Sequence, residues 1–597
     1  VSDCWAINDF YNKRAHATHP DSASASADAV LSGTDLECGG SYESLVDGVK
    51  RGLISEADID VSVKRLLKAR FELGEMDELK DVKWTQIPYS VVASAKHDSL
   101  ALDIARKSIT LLQNKNQILP LKKGGKKIAV MGPNANDSVM QWGNYNGTPA
   151  YTKTILQGIK DAVGADDEVV YIPGCSWVER TLIHRVYDQC QSADGQGFSA
   201  TYWNNKDREG EPVATMQLTT PFNLCTSGAT VFAPGVNLTD FSGSYKSVFT
   251  PKASGEVLFN FYVCGLAELY IDGERVRRIF NQHGGRSNSY AMQAEAGKSY
   301  DIEIKFQYFA GDAQINFDLG FKEEVNMAKT VAQVKDADIV IFAGGITPRL
   351  EGEEMGVNLP GFKGGDRTDI ELPAIQRELL KALAAAGKKV ILVNCSGSPV
   401  GLVPETASCQ AILQAWYPGQ AGGKAVADVL FGEYNPSGKL PVTFYKNVNQ
   451  LPDFEDYNMT GRTYRYFEGE PLYAFGHGLS YTTYTYGEVQ APATAKTDET
   501  IVVSVPVTNS GNMDGDEIVQ LYLKKKGDEE GPIKTLRAFK RVHIPAGQTV
   551  NVELELTPSQ LEWWNPATNS MNTHAGNYEV MVGGNSKDVK SVEIALQ

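Results

Sequence analysis

No apolar run in the 597-residue sequence approaches the roughly 20 residues that a membrane-spanning helix needs. The longest, such as Ile339–Ala343 and Val390–Val393, are strand-sized. The eight cysteines (Cys4, Cys38, Cys175, Cys190, Cys225, Cys264, Cys395 and Cys409) contain no C-x-x-C pair, which argues against a zinc ribbon or a thioredoxin motif. The eight histidines form neither H-x-H nor H-E-x-x-H, so no metal site stands out and no cofactor is expected. Gly124–Lys127 lacks the spacing and the following Ser or Thr of a phosphate loop, and there is no G-x-S-x-G elbow. Positive charge is short too: 57 Lys and Arg against 73 Asp and Glu give a net charge of −16. Nucleic acid and anionic membranes are therefore poor partners, whereas a neutral sugar is not repelled. The opening V-S-D-C-W-A-I-N-D-F-Y carries no initiator Met and no leader, so the compartment is not legible there.

What is present divides into blocks, and the length suggests about four domains. Residues 1–84 read as strand, helix, strand, helix, helix, with strands expected at the start and at Ala29–Thr34 and a helix at Tyr42–Lys50. Ser55–Gly74 is an amphipathic helix with Ser55 as N-cap, Gly74 as stop, and Ile59, Val63, Leu66 and Leu67 on one face. Residues 85–193 and 324–486 share another grammar. A helix is expected over Ser99–Leu112, and strands over Lys127–Gly132, Val169–Ile172, Ala337–Ala343, Lys389–Cys395 and Ala411–Trp416 alternate with helices such as Ala374–Ala386. Buried strands alternating with helices predict a parallel α/β sandwich. Residues 194–323 read as an all-β insertion with a hairpin turn at Asp272-Gly273, and 487–597 as a second all-β domain of about seven strands.

The chemistry then falls to carboxylates. Asp3 follows an extended segment, and a strand's C-terminal end is where a parallel barrel carries catalytic groups; a helix cap or a hydrogen-bonded buried acid is the other reading. The stretch P-R-L-E-G-E-E-M, Pro348–Met355, follows the strand I-V-I-F-A-G-G, whose end opens on the crevice of an α/β sheet. Crowding of Glu351, Glu353 and Glu354 can raise one of them into the range of a general acid, although a solvated acidic loop explains the pattern as well. Arg367, in G-G-D-R-T, can pair with one of these acids or with a structural Asp. His477, in F-G-H-G-L-S-Y, reads as a packed, hydrogen-bonding residue.

Many ordered stretches make the sequence resemble glycoside hydrolase family 3: V-S-D-C-W (1–5), S-G-T-D-L-E-C-G-G (32–40), S-I-T-L-L-Q-N (108–114), I-A-V-M-G-P-N-A (128–135), L-E-G-E-E-M with G-G-D-R, A-W-Y-P-G-Q-A-G-G (415–423), Y-N-P-S-G-K-L-P-V-T-F (434–444) and Y-R-Y-F-E-G-E-P-L-Y-A-F-G-H-G-L-S-Y (464–481). The resemblance implies four parts: the C-terminal remnant of a (β/α)8 barrel, an α/β sandwich, an inserted protective-antigen-like β domain, and a fibronectin type III-like domain. It implies hydrolysis of β-linked sugars with retention, Asp3 as nucleophile and Glu353 as acid/base, with Glu351 and Glu354 as alternatives. The two carboxyls of a retaining pair stand about 5–5.5 Å apart. Trp5 and Arg367 are candidate sugar contacts, and a Cys4–Cys38 disulfide is implied. S-D-C with T-D-L-E-C-G favours xylose over glucose, on oligosaccharides, in the periplasm or outside the cell; a homodimer is compatible. Relative to the family most of the barrel is missing from this chain, so little activity is expected of it alone, and a non-catalytic carbohydrate-binding role is the other reading.

Overall fold

The computed structural model describes residues 1–147, 149–352 and 355–597, in two compact units, Val1–His97 and Asp98–Gln597.

The first unit is helical. Helices span Ala6–Tyr11, Ser22–Leu31, Leu45–Lys50 (entered through a 3₁₀ turn, Ser41–Ser44) and Glu56–Glu72. The strands expected at the start and at Ala29–Thr34 are absent among the described residues of this unit. S-A-S-A-S-A-D-A-V-L supplies alanine, the strongest helix former, and Asp21 caps it by accepting from Ser24 N at 2.9 Å, so Ala29 and Val30 complete a helix. Residues 1–3 take no regular structure, Cys4 and Trp5 turn, and the segment is tied to 36–38 by Ser2 N to Leu36 O (2.9 Å) and Trp5 N to Cys38 O (2.7 Å), too little pairing to make a ladder. Ser55 caps the helix Glu56–Glu72 in a reciprocal capping box with Asp58. Its expected apolar face is only partly covered: Ile59 packs on Ala27, Val30 and Ile54, while Val63 and Leu67 are exposed.

The second unit is built on a six-stranded sheet in the order Thr110–Asn114, Ala411–Gln414, Lys389–Cys395, Ile339–Gly345, Lys127–Met131, Glu168–Ile172. Every pairing is parallel except the first, Thr110–Asn114 against Ala411–Gln414. The helix expected over Ser99–Leu112 therefore stops at Ser108, because Leu111 and Leu112 are drawn into the sheet and buried on opposite faces. Side chains alternate between the faces: Ile128, Val130, Ile341 and Val393 enter one core, Ala129, Met131, Phe342 and Leu392 the other. Each large side chain so buried contributes about 1.5–3 kcal/mol.

The inserted β module is one branched sheet centred on the long hairpin Gly255–Ile271 and Glu274–Ala294, turned by Asp272 and Gly273 with φ of 51° and 83°. It takes in Thr181–Arg185, ahead of residue 194, which pairs with Gly320–Glu324. Aromatic rings fill its core, with Phe222 stacked on Tyr245 at 4.9 Å and Phe198 edge-on to Phe317 at 5.4 Å. The C-terminal region packs a three-stranded against a five-stranded sheet over Val503, Val505, Leu521, Val580 and Ile594.

Candidate active site

In the first unit, a disulfide joins Cys4 to Cys38, fastening the extended start beside the turn that follows Leu36. Ser2 Oγ adds a bond from Cys38 N at 3.0 Å. Asp3 is exposed, and its Oδ1 accepts from Cys4 N at 2.7 Å. Trp5, with φ of 66° and 64% exposed, then starts the helix Ala6–Tyr11. The neighbouring acids are occupied differently. Glu37 takes Ser41 N (2.9 Å) and Tyr42 N (2.7 Å), and hydrogen bonds from Ser62 and Arg65 hold Asp35 below the usual carboxylate range. Asp3 thus combines a pinned backbone with a carboxylate open to solvent.

The second unit carries the acidic loop after the strand Ile339–Gly345. That strand ends on Gly345 at φ 107°, where a Cβ would lie 2.1 Å from Cys395 O, so glycine is required. Gln376 brackets the position, accepting from Gly345 N (2.8 Å) and donating to Gly345 O (2.7 Å). Asn134 donates to Gly344 O (2.9 Å) and Ile346 O (3.1 Å) and is oriented by Trp177 Nε1 at 2.6 Å. Three short strands, Asn358–Leu359, Phe362–Lys363 and Asp366–Arg367, form a small sheet within the following loop.

Glu353 and Glu354 lie outside the described residues. Glu351 is described, and both its carboxylate oxygens are occupied. Oε1 accepts from Gly397 N at 2.7 Å and from the Tyr417 hydroxyl at 2.5 Å; Oε2 accepts from Ser398 Oγ at 2.6 Å. Burial, then the adjoining Glu351 charge, pushes the Tyr417 phenol above its usual range, so it stays a donor. Arg367 is a half-buried member of the same scaffold. It donates to the carbonyls of Asp369 (3.1 Å), Pro399 (2.9 Å) and Glu371 (3.2 Å) and to Ser398 Oγ (3.3 Å). Burial lowers its guanidinium, opposed first by the Glu351 charge. Gly397, Ser398 and Tyr417 come from the loops after two neighbouring strands and were not legible as a set in the sequence, although Tyr417 lies in A-W-Y-P-G-Q-A-G-G. His477 is packed, its Nε2 3.1 Å from Leu112 O and its ring stacked on Tyr473, and burial lowers it. Among the described residues, no group of three or more His, Cys, Asp or Glu is placed to hold a metal ion.

The model of the Glycosyl hydrolase family 3 C-terminal domain matches residues 109–481, which span the six-stranded sheet, its insertion and the acidic loop. The chain belongs to glycoside hydrolase family 3. A fibronectin type III-like domain matches residues 517–586 of this family 3 protein. It is 49% identical over 606 residues to a protein of Xylanibacter ruminicola named xylan 1,4-beta-xylosidase, covering 100% of this chain and 69% of that one. It is 28% identical over 636 residues to beta-glucosidase B of Emericella nidulans, covering 96% of this chain and 72% of the relative. Among solved structures, the beta-glucosidase of Kluyveromyces marxianus in complex with glucose superposes with a TM-score of 0.72 at 24% identity, over 96% of this chain and 72% of that one, a likeness of fold.

Proposed function

We propose that this family 3 glycoside hydrolase is an exo-acting, retaining β-xylosidase that releases terminal xylose from β-1,4-xylo-oligosaccharides. The observation that carries this reading is the 49% identity along the whole chain to a protein named for that activity. Asp3 is the nucleophile: an Oδ attacks the anomeric carbon, the glycosidic C–O bond breaks, and the departing oxygen takes a proton from Glu353. Water, deprotonated by the same Glu353, then displaces Asp3 from the glycosyl ester and restores the anomeric configuration. The solvent-facing Asp3 carboxylate on a disulfide-fastened backbone supports the nucleophile role. Glu351 and Glu354 are the alternative proton donors within the same loop.

Residues 1–84 are read as the closing part of a (β/α)8 barrel. The apolar side chains they expose on helices, Val46, Val61, Val63, Leu67 and Phe71, support that reading, because barrel helices pack on their neighbours. The disulfide supports work in the periplasm or outside the cell, where such bonds persist.

A β-glucosidase is the second reading, favoured by relatives so named at 27–28% identity. Turnover of nitrophenyl β-xyloside against nitrophenyl β-glucoside decides between them, with a higher kcat/KM on the xyloside expected. A 2-fluoro-xyloside with a good leaving group should trap the ester on the peptide containing Asp3. A label on any other acid removes Asp3 from the mechanism.

A further inference from the structure

We propose that Glu351 is not the proton donor of this enzyme but a positioning residue, whose carboxylate clamps the start of the acidic loop to the loops after two neighbouring strands. The inference rests on the glycosidase reading above and names which acid of the cluster is excluded from the proton transfer.

A general acid needs a proton on an oxygen that can face the substrate, and neither oxygen of Glu351 offers that. Oε1 faces the Gly397 N–H at 2.7 Å, a backbone donor that cannot turn away, as well as the Tyr417 hydroxyl at 2.5 Å. Oε2 faces Ser398 Oγ at 2.6 Å, and Arg367 Nη1 approaches that same oxygen from 3.3 Å. Because Arg367 only donates, Ser398 turns its single proton to Glu351. Three donors thus converge on one carboxylate, in a chain running from guanidinium through hydroxyl to anion. Hydrogen bonds to an ionised acceptor are the strong ones.

Other bonds fasten the loop on both sides of residues 353–354. On the near side, Glu351 O accepts from Asn144 Nδ2 at 2.8 Å, and Gly352 O lies so close to Gly365 that a Cβ there would stand 1.7 Å from it. On the far side, Met355 N donates to Gly364 O at 2.9 Å and Gly364 N to Val357 O at 2.7 Å. A misplacement of about 1 Å at a reacting group costs on the order of 10²-fold in rate, so fastening the loop has kinetic value even though Glu351 moves no proton.

The test compares Glu351→Gln, Tyr417→Phe and Glu353→Gln on xylobiose and on 2,4-dinitrophenyl β-xyloside, with and without azide. Glu351→Gln should lower kcat/KM on both substrates by a similar factor, on the order of 10²-fold, without rescue by azide. Tyr417→Phe should do the same more weakly. Glu353→Gln should instead cripple xylobiose hydrolysis while sparing formation of the ester from the dinitrophenyl substrate, whose leaving group needs no proton. Azide should then rescue turnover by attacking the anomeric carbon of the Asp3 ester, forming xylosyl azide and freeing the carboxylate. Xylosyl azide made by Glu351→Gln would overturn the proposal, as would an unchanged rate. Hydrogen exchange supplies an arm that needs no activity: amides of 346–352 and 395–399 should exchange faster in Glu351→Gln and in Tyr417→Phe. Hydrolysis of neither sugar by the protein joined to a complete barrel would fail the glycosidase reading; unchanged exchange in both variants fails the clamp.

Discussion

Asp3 and Glu351 are carboxylates of the same family 3 enzyme held by contrasting surroundings. Around Asp3 the backbone is fastened, by the Cys4–Cys38 disulfide and bonds to Leu36 and Cys38, while the side chain takes a hydrogen bond from its neighbour Cys4 and faces solvent. Around Glu351 the side chain itself is fastened, with three donors on two oxygens. A nucleophile must travel to a carbon and back, so restraint belongs in the chain that carries it. An anchor must not travel, so restraint belongs on the carboxylate. Environment, not chemical type, sets how each of these two carboxylates is held.

The comparison breaks most sharply at Asp3. Asp3→Asn keeps shape and removes the proposed nucleophile, and should lower kcat/KM on nitrophenyl β-xyloside by about 10⁴-fold or more. Unchanged circular dichroism would show that the loss is chemical. A variant retaining a tenth of the parent rate would mean that another group attacks the sugar.

The two regions also differ in what holds their folds, and Cys4→Ser sharpens that difference. The second unit buries whole strands, with Ile341, Phe342, Ile391 and Leu413 all inaccessible. The core clusters of the first unit are small, one being Ile7, Ala25 and Ala29, while Phe71, Leu73 and Trp84 are exposed. Its disulfide closes a sequence separation of 34. Opening it should cost the first unit about 3–4 kcal/mol on chain-entropy grounds. Calorimetry should show a lowered early transition in Cys4→Ser with the main transition of the second unit in place. A shift of both together would show that the two unfold as one.

How much of this the sequence carried follows from the same contrast. The strands at 127–131, 339–345, 389–395 and 411–414 were legible because continuous apolar runs buried on both faces have few other uses, and the edge strand at 168–172 because of its β-branched and aromatic run. Thr110–Asn114 was hidden: an antiparallel edge strand directly after a helix extends the helix's apolar pattern, and only its partner at 411–414 decides otherwise. In the first unit, A-V-L-S-G-T at 29–34 reads as a short strand, but Ala29, Val30 and Leu31 continue an alanine-rich helix capped by Asp21, and helix propensity prevailed. Asp3 was conspicuous as a lone acid in a small apolar stretch. The clamp on Glu351 was not, since its donors stand 46, 47 and 66 residues away and one is a backbone N–H, which no residue type advertises. The bonds from Arg367 to three carbonyls were hidden for a related reason: carbonyl acceptors leave no mark in a sequence.

The smallest effect concerns the exposed charges of the first unit. Asp21 caps the helix Ser22–Leu31 and pairs with Arg51 at 3.0 Å; Arg51 also reaches Asp47 at 3.1 Å. Hydrogen bonding from Arg51, then from Ser24 N, lowers the Asp21 carboxyl from its ordinary 3.8 to about 2. A depressed folded value means the stabilisation is present above pH 3.8 and fades as pH falls through about 2. Asp21→Asn keeps an acceptor for the cap and removes the charge, so it isolates the ion pair. Both partners are some two-fifths exposed, so salt screens them and Asp47 retains part of the Arg51 contact. The early calorimetric transition should therefore drop by a degree or so, on the order of a surface pair, at pH 6 and low salt. The gap should narrow in high salt and close near pH 2. A gap that persisted there would mean that the Asp21 charge is not what the substitution removes from stability, leaving the disulfide as the main restraint on the first residues of the chain.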